Sequence, residues 1–243
     1  MNELDFSGKQ VLVVGGSSGI GNGIAHGFRG RGADVHVWGT RPSAADYDSV
    51  EGSDLTGLAY ARVDVGARDE IAAAPAIDPL DVLILCQGTV QYRRAEFEPE
   101  GWDRVMAVNL DSLMDCARKF RPVLAGRKGV IVIVSSVSGY RSNRGNPAYA
   151  ASKAGAVSLT KTLGEAWAPE GIRVVGLAPG LVDTKLTKVT TEHAERRAGA
   201  LASIPLGRIG TPQDMAGAAL LLASPLAGYV VGQTLIVDGG LSL

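Results

Sequence analysis

The chain has 243 residues, with 24 basic and 25 acidic side chains and a net charge of -1. That balance lacks the basic excess of a nucleic-acid binder. With 46% apolar and 20% charged residues it holds enough material for a full core and argues against disorder.

Short apolar runs recur along the chain and read as seven strands, at 11–14, 35–38, 58–63, 82–85, 130–134, 174–177 and 234–237. Most are apolar throughout, the mark of strands covered on both faces in a parallel sheet. Helical stretches alternate with them: 19–31 after the first strand, 101–123 before the fifth, 149–167 before the sixth and 212–222 before the seventh. Only residues 65–80 connect the third strand to the fourth, and Pro75 and Pro79 fall among them. A helix of about two turns, at 68–74, fits that length. Residues 42–57 are polar and acidic and read mostly as loop. The alternation predicts one domain over residues 1–243, a doubly wound α/β sheet with helices on both faces. The 32 glycines, about 13% of the chain against a typical ~7%, punctuate it as turns would.

The first strand runs into Gly15-Gly16-Ser17-Ser18-Gly19-Ile20-Gly21, and a helix pattern follows. Glycines there let the backbone turn sharply and approach a pyrophosphate, while the helix N-terminus offers free N–H groups. The spacing is Gly-x-x-x-Gly-x-Gly, and taken alone it leaves an ordinary strand-to-helix turn as the lesser alternative.

Further along, Ser135-Ser136 closes the fifth strand, and Tyr149 and Lys153 follow in Asn146-Pro147-Ala148-Tyr149-Ala150-Ala151-Ser152-Lys153. Four residues on a helix place Tyr149 and Lys153 on one face, within ~5–6 Å. A neighbouring ammonium favours phenolate, so Lys153 is expected to lower the tyrosine pKa. The Ser136 hydroxyl can hold a reacting oxygen beside the tyrosine. Together the three form a proton-transfer site for alcohol/carbonyl interconversion.

With these residues in view, the chain resembles the short-chain dehydrogenase/reductase family, in its 3-oxoacyl reductase-like branch. The resemblance rests on Gly15-x-x-x-Gly19-x-Gly21, Asp64-Val65, Asn109, Ser136, Tyr149, Lys153, Pro179-Gly180 and Val237-Asp238-Gly239-Gly240. It implies a Rossmann-type, seven-stranded parallel sheet and hydride transfer between a nicotinamide and a secondary alcohol or ketone. Tyr149 is then the general acid/base, Lys153 its partner and a ribose ligand, and Ser136 the group that polarises the substrate oxygen. Asn109 helps hold a water of the proton relay. By the same resemblance Gly15, Ser17, Ser18, Gly19, Ile20 and Gly21 cradle the phosphates, Asp64 and Val65 meet the adenine, and Gly88 permits close approach. Pro179, Gly180, Val182 and Thr184 wrap the nicotinamide end, and residues 181–205 form a substrate lid.

Three departures stand out. Val14 replaces the usual threonine before the first glycine. Leu85-Cys86-Gln87-Gly88 stands where Asn-Asn-Ala-Gly is usual, with Cys86 read as a small apolar residue. The 65–80 connection is shortened. After the second strand the chain reads Gly39-Thr40-Arg41, with no acid to hold a ribose 2′-hydroxyl. Thr40 and Arg41 suit a 2′-phosphate, so NADP(H) is expected over NAD(H), with NAD(H) the alternative.

Ser138, Tyr140, Gln87, Tyr92 and Leu181 are candidates for a substrate pocket of mixed polarity, for a small carbonyl or alcohol. Arg127-Lys128 invites docking of an acyl-carrier protein, or is a solvated turn. Met106, Leu110, Leu113 and Phe120 on one helix, with Val157, Leu159, Leu163 and Trp167 on another, exceed one apolar stripe. A subunit interface follows, and the family resemblance implies a homotetramer. The other function class is a silent dinucleotide-binding regulatory protein, which loss of Tyr149 or Lys153 would mark; both are present.

Cys86 and Cys116 are too few for a disulfide framework or a thiolate metal site, and the three histidines are scattered, so no metal is expected. No apolar run reaches the ~20 residues of a membrane helix. The first residues lack the basic and apolar parts of a signal peptide. The expected location is cytoplasmic, with no membrane and no nucleic-acid partner.

Overall fold

The computed structural model describes residues 3–243. Its strands are β1 (Gln10–Val14), β2 (Asp34–Gly39), β3 (Ala59–Arg62), β4 (Val82–Leu85), β5 (Val130–Val134), β6 (Arg173–Pro179) and β7 (Thr234–Val237). They form one sheet in the order β3-β2-β1-β4-β5-β6-β7, every neighbouring pair parallel. The helices are α1 (Gly19–Arg29), α2 (Arg68–Ala73), α3 (Pro99–Met106), α4 (Ser112–Arg127), α5 (Pro147–Trp167), α6 (Lys188–Thr191), α7 (Ala194–Ser203) and α8 (Pro212–Ala223). The doubly wound fold predicted from the alternation is the one observed.

The all-apolar strands have their reason in two separate cores. In β1, Val11 and Val13 join Ile24 and Phe28 of α1 and Met215 and Leu220 of α8. The alternate residues Leu12 and Val14 turn to the other face, with Leu113 and Phe120 of α4 and Leu163 and Trp167 of α5. A strand covered on both sides has no position for a polar residue. Each fully buried Leu or Ile there is worth about 2–5 kcal/mol against alanine.

The predicted 101–123 helix differs most from what forms. It starts at Pro99, ends at Arg127, and is broken into α3 and α4 by a wide π turn over Ala107–Asp111. Within that turn Ser112 Oγ donates to Val108 O at 2.7 Å, and the Asn109 side chain reaches inward to the loop after β4. Wide turns of this kind mark places where a side chain is re-aimed inside a helix. The short helix α2 forms where the 65–80 connection predicted it. Residues 42–57 are loop apart from one 3₁₀ turn, Ala44–Tyr47.

The apolar excess read as a subunit face is mostly core. Leu113, Phe120, Val157, Leu163 and Trp167 are all buried under the sheet. Among the described residues no helix is long and apolar enough to cross a membrane.

Candidate active site

The sheet order reverses direction between β1 and β4, and the carboxyl ends of the strands there leave a crevice, the usual ligand position in open α/β sheets. A cavity of about 570 Å³ occupies it. One end is lined by Gly15, Ser17, Ser18, Gly19, Ile20 and Gly21 from the turn between β1 and α1. Thr40 follows from the end of β2, then Asp64 and Val65 after β3 and Gly88 after β4. Ser136, Tyr149 and Lys153 line the other end, with Pro179, Gly180, Val182 and Thr184 leading into the 181–205 segment. Of the catalytic and cofactor-binding residues expected at the site, only Arg41 and Asn109 are absent from this lining.

The glycine turn is sterically exacting. Gly15 has φ +75°, and a Cβ there would lie 2.9 Å from the Gln87 backbone. A Cβ on Gly21 would lie 2.2 Å from Gly15 O. The backbone is therefore drawn tight at the N-terminus of α1, where Gly19 N donates to Gly52 O at 2.8 Å and the positive end of the helix dipole lies at the cavity.

At the opposite end the geometry is set by main chain. The Ser136 hydroxyl lies beside the Tyr149 phenol, close enough to lower its pKa. Ser136 Oγ also accepts from Ser138 N at 3.1 Å. Lys153 Nζ donates to Val134 O at 2.9 Å and lies 5.7 Å from the Tyr149 ring centroid. Burial pushes the Lys153 pKa down to about 8. Burial also pushes the Tyr149 phenol up, against a smaller lowering by Ser136. The lowered tyrosine pKa expected from Lys153 is thus not reached by the chain's own groups: desolvation outweighs the lowering by Ser136.

Asn109 is fully buried and held in a double clamp on the loop after β4. Its Oδ1 accepts from Thr89 N at 2.7 Å, and its Nδ2 donates to Thr89 O at 2.9 Å and to Ser152 Oγ at 3.2 Å. Both amide protons are engaged, and Oδ1 keeps one lone pair beyond its bond from Thr89 N.

Arg41 turns away from the cavity. Its guanidinium donates to Asp46 O and sits 5.1 Å from the Tyr47 ring centroid. The Tyr47 hydroxyl in turn accepts from the main-chain N–H groups of Thr40 at 3.2 Å and Arg41 at 3.3 Å, and bonds Ser17. Tyr47 therefore organises this corner, and nothing in the polar 42–57 run singled it out.

Other residues at the site escaped the sequence reading. Arg104 of α3 lines the cavity and pairs with Asp64 at 3.7 Å. Gln87 and Tyr92 do line the cavity, whereas Ser138, Tyr140 and Leu181 lie outside it. Gln87 donates to Ser112 Oγ at 2.9 Å while its buried Oε1 has no partner among the described residues. Tyr92 donates its hydroxyl to Leu186 O, tying the loop after β4 to the 181–205 segment. Cys86 also lines the cavity, and burial raises its thiol to about 12, so it stays protonated. Arg127 pairs with Asp81 at 3.0 Å while its side chain stays 43% exposed.

The chain as a whole is similar to known proteins. The sequence profile described as enoyl-(acyl carrier protein) reductase matches residues 14–242. The chain belongs to the short-chain dehydrogenase/reductase family. It is an NAD(P)-dependent oxidoreductase acting on CH–OH groups. It is 37% identical to the 3-oxoacyl-(acyl-carrier-protein) reductase of Chlamydia muridarum, over 100% of both chains. It is 38% identical to a galactitol 2-dehydrogenase (L-tagatose-forming) of Cereibacter sphaeroides, over 97% of this chain and 95% of that one. The fold matches a gluconate 5-dehydrogenase of Burkholderia cenocepacia in complex with NADP and tartrate, with a TM-score of 0.89 and 30% identity over 99% and 98% of the two chains.

Proposed function

We propose that this enzyme interconverts a secondary alcohol and a ketone through Ser136, Tyr149 and Lys153, with NADP(H) as its cofactor. The observation that carries the reading is that Ser136, Tyr149 and the buried Lys153 line one cavity with the glycine turn. The residues present fit the dinucleotide. Gly15 and Gly21 pack against neighbouring main chain with no room for a Cβ, which shapes the turn at one end of the cavity, and the same cavity reaches Tyr149.

When bound, the nicotinamide supplies or accepts the hydride. In the reducing direction the Tyr149 hydroxyl gives its proton to the substrate oxygen, so that hydride and proton together add across the C=O bond. Ser136 donates a hydrogen bond to that oxygen and orients it. Lys153, protonated below about pH 8, stabilises the phenolate that Tyr149 leaves behind and reaches the nicotinamide ribose. Oxidation runs the same steps backwards. Asn109 holds the loop carrying Gly88 and offers its remaining lone pair to a relay water.

Thr40 and Arg41 take the 2′-phosphate of NADP(H), with Arg41 swinging off the Asp46 carbonyl and the Tyr47 ring to do so. The absence of an acid after β2 and the NADP-bound relative support this choice. Residues 181–205 act as a lid within a single domain over 1–243. A homotetramer is proposed on the family resemblance and on the exposed apolar edge at Leu235 and Ile236 of β7. A cytoplasmic location accords with two free cysteines.

The substrate class is open to direct test. NADPH oxidation and NADP reduction, followed by nicotinamide absorbance, are measured against 3-oxoacyl thioesters, sugar acids such as gluconate, and polyols. Turnover with at least one class is expected. No turnover in either direction, from protein that binds NADPH at one site per chain, would overturn the reading.

A further inference from the structure

Glu96 carries a carboxylate with no exposure at all to solvent, although it lies in a short 3₁₀ turn on the way into α3. A buried carboxylate is costly unless it is fully hydrogen-bonded. Here every bond it makes goes to the neighbourhood of Tyr149. Oε2 accepts from the Tyr149 main-chain N–H at 2.9 Å. Oε1 accepts from Gln91 N at 3.0 Å and from Asn146 Nδ2 at 3.1 Å. Asn146 Nδ2 also donates to Gln91 O at 3.2 Å.

The helix that carries the tyrosine needs this help. Asn146 precedes α5 but its side chain makes no cap bond, and no acid stands in the first turn. Pro147, the first helical residue, has no N–H. The N–H of Tyr149, third in the helix, has no partner within the helix itself. Glu96 supplies the missing acceptor from 53 residues earlier in the chain, and its negative charge suits the helix N-terminus. The same carboxylate holds Gln91, so the loop running from Gly88 to Tyr92 and the first turn of α5 are fastened to one group.

We infer that Glu96 is a positioning residue for proton transfer: its carboxylate fixes the first turn of α5 to the loop after β4 and so fixes the Tyr149 hydroxyl against Ser136. The inference rests on the proposed role of Tyr149. It differs from a role in folding alone, because what it governs is the placement of one hydroxyl within a site that still binds cofactor at the glycine turn.

The test compares Glu96→Ala, Glu96→Gln and Tyr149→Phe with the wild type, on the fastest substrate of the panel above. Active-site concentration is taken from the stoichiometry of NADPH fluorescence titration. Displacing a reacting group by about 1 Å costs about 10²-fold, so Glu96→Ala is expected to lower kcat per NADPH site by about 10- to 100-fold. The dissociation constant for NADPH should stay within about twofold, because the phosphate cradle is untouched. Glu96→Gln keeps one carbonyl acceptor for the Tyr149 N–H and should recover kcat to within about fivefold of wild type.

A Glu96→Ala enzyme with lower thermal stability and fewer NADPH sites, but wild-type kcat per site, would reduce Glu96 to a folding role and overturn the inference. Should that variant fail to fold, Glu96→Asp takes its place, since the shorter side chain cannot reach Gln91 and Tyr149 together. Its kcat per site should fall, and a wild-type value would again overturn the inference. Failure of the underlying reading looks different: Tyr149→Phe itself would then keep its turnover.

Discussion

The two ends of the cavity are built in opposite ways. At the proton-transfer end, Ser136 closes a buried strand and Tyr149 and Lys153 stand four residues apart on a 21-residue helix. Main-chain groups take part in each of their bonds: Lys153 donates to Val134 O, Ser138 N donates to Ser136 Oγ, and the Tyr149 main-chain N–H donates to the buried Glu96 carboxylate. At the adenosine end, Thr40 and Arg41 sit in a partly exposed loop, and side chains decide where they point. A site on regular elements inherits its geometry from the backbone, whereas a site on loops depends on whichever neighbour reaches it first. On the proposed function, chemistry falls at the rigid end and cofactor choice at the adaptable one.

The sharpest way to break this comparison is Tyr149→Phe. It removes one hydroxyl and leaves the helix, the Glu96 bond and the glycine turn intact. Turnover should fall by about 10²–10⁴-fold, the range for losing a general acid/base, with NADPH affinity nearly unchanged. Steady-state kinetics beside fluorescence titration separate the two. A variant with near-wild-type kcat would show that the rigid end does not carry the proton.

Rigidity at that end has a measurable cost in Lys153. Its folded pKa of about 8 lies below the unfolded value of 10.5 because burial disfavours the ammonium. Between those pH values the unfolded chain binds more protons than the folded one, so stability rises with pH across the window. The gain amounts to about 3 kcal/mol at the top of it. Cys86 and Cys116, whose burial raises their thiols to about 12, act in the opposite sense as the unfolded thiols ionise. The readout is therefore a difference: denaturant unfolding of wild type minus Lys153→Met, from pH 8 to 10.5. That difference should grow with pH in favour of the wild type, and a flat one would mean that Lys153 is not desolvated. Turnover of the same variant should drop as well, with weaker NADPH binding through the ribose.

The same division governs what could be read from the sequence. The seven strands were legible because burial on both faces leaves an unbroken apolar run, as in Val130–Val134. Tyr149 and Lys153 were legible because a spacing of four has one meaning on a helix. The wide turn at Ala107–Asp111 was not, because it goes with the grip of Asn109 on Thr89, twenty residues away. Glu96 in Arg93-Arg94-Ala95-Glu96 reads as a solvated charge until α5 is folded over it. Tyr47 and Arg104 act through contacts that no local pattern announces. The lowered tyrosine pKa was argued from a charge at a known distance, and the omitted quantity was the desolvation that only a folded cavity reveals.

The smallest expected effect lies at the adaptable end. If Arg41 holds the 2′-phosphate, Arg41→Ala should raise the Michaelis constant for NADPH about tenfold, and that for NADH by less than about twofold, since a charge-assisted bond to a phosphate is worth about 1.5–3 kcal/mol before the cost of moving the side chain. That cost is visible in the structure, because the guanidinium must leave the Asp46 carbonyl and the face of the Tyr47 ring. Tyr47→Phe sharpens the point. It keeps the ring under Arg41 but removes the hydroxyl that accepts from the Thr40 and Arg41 N–H groups and bonds Ser17. The loop after β2 should loosen, and the NADPH constant should rise by a few-fold at unchanged kcat, about 1 kcal/mol for the lost bonds. If Arg41→Ala shifts both cofactors equally, Arg41 serves only to brace the loop. A wild-type enzyme more efficient with NADH would move the choice of cofactor away from Thr40 and Arg41, while leaving Ser136, Tyr149 and Lys153 where they are.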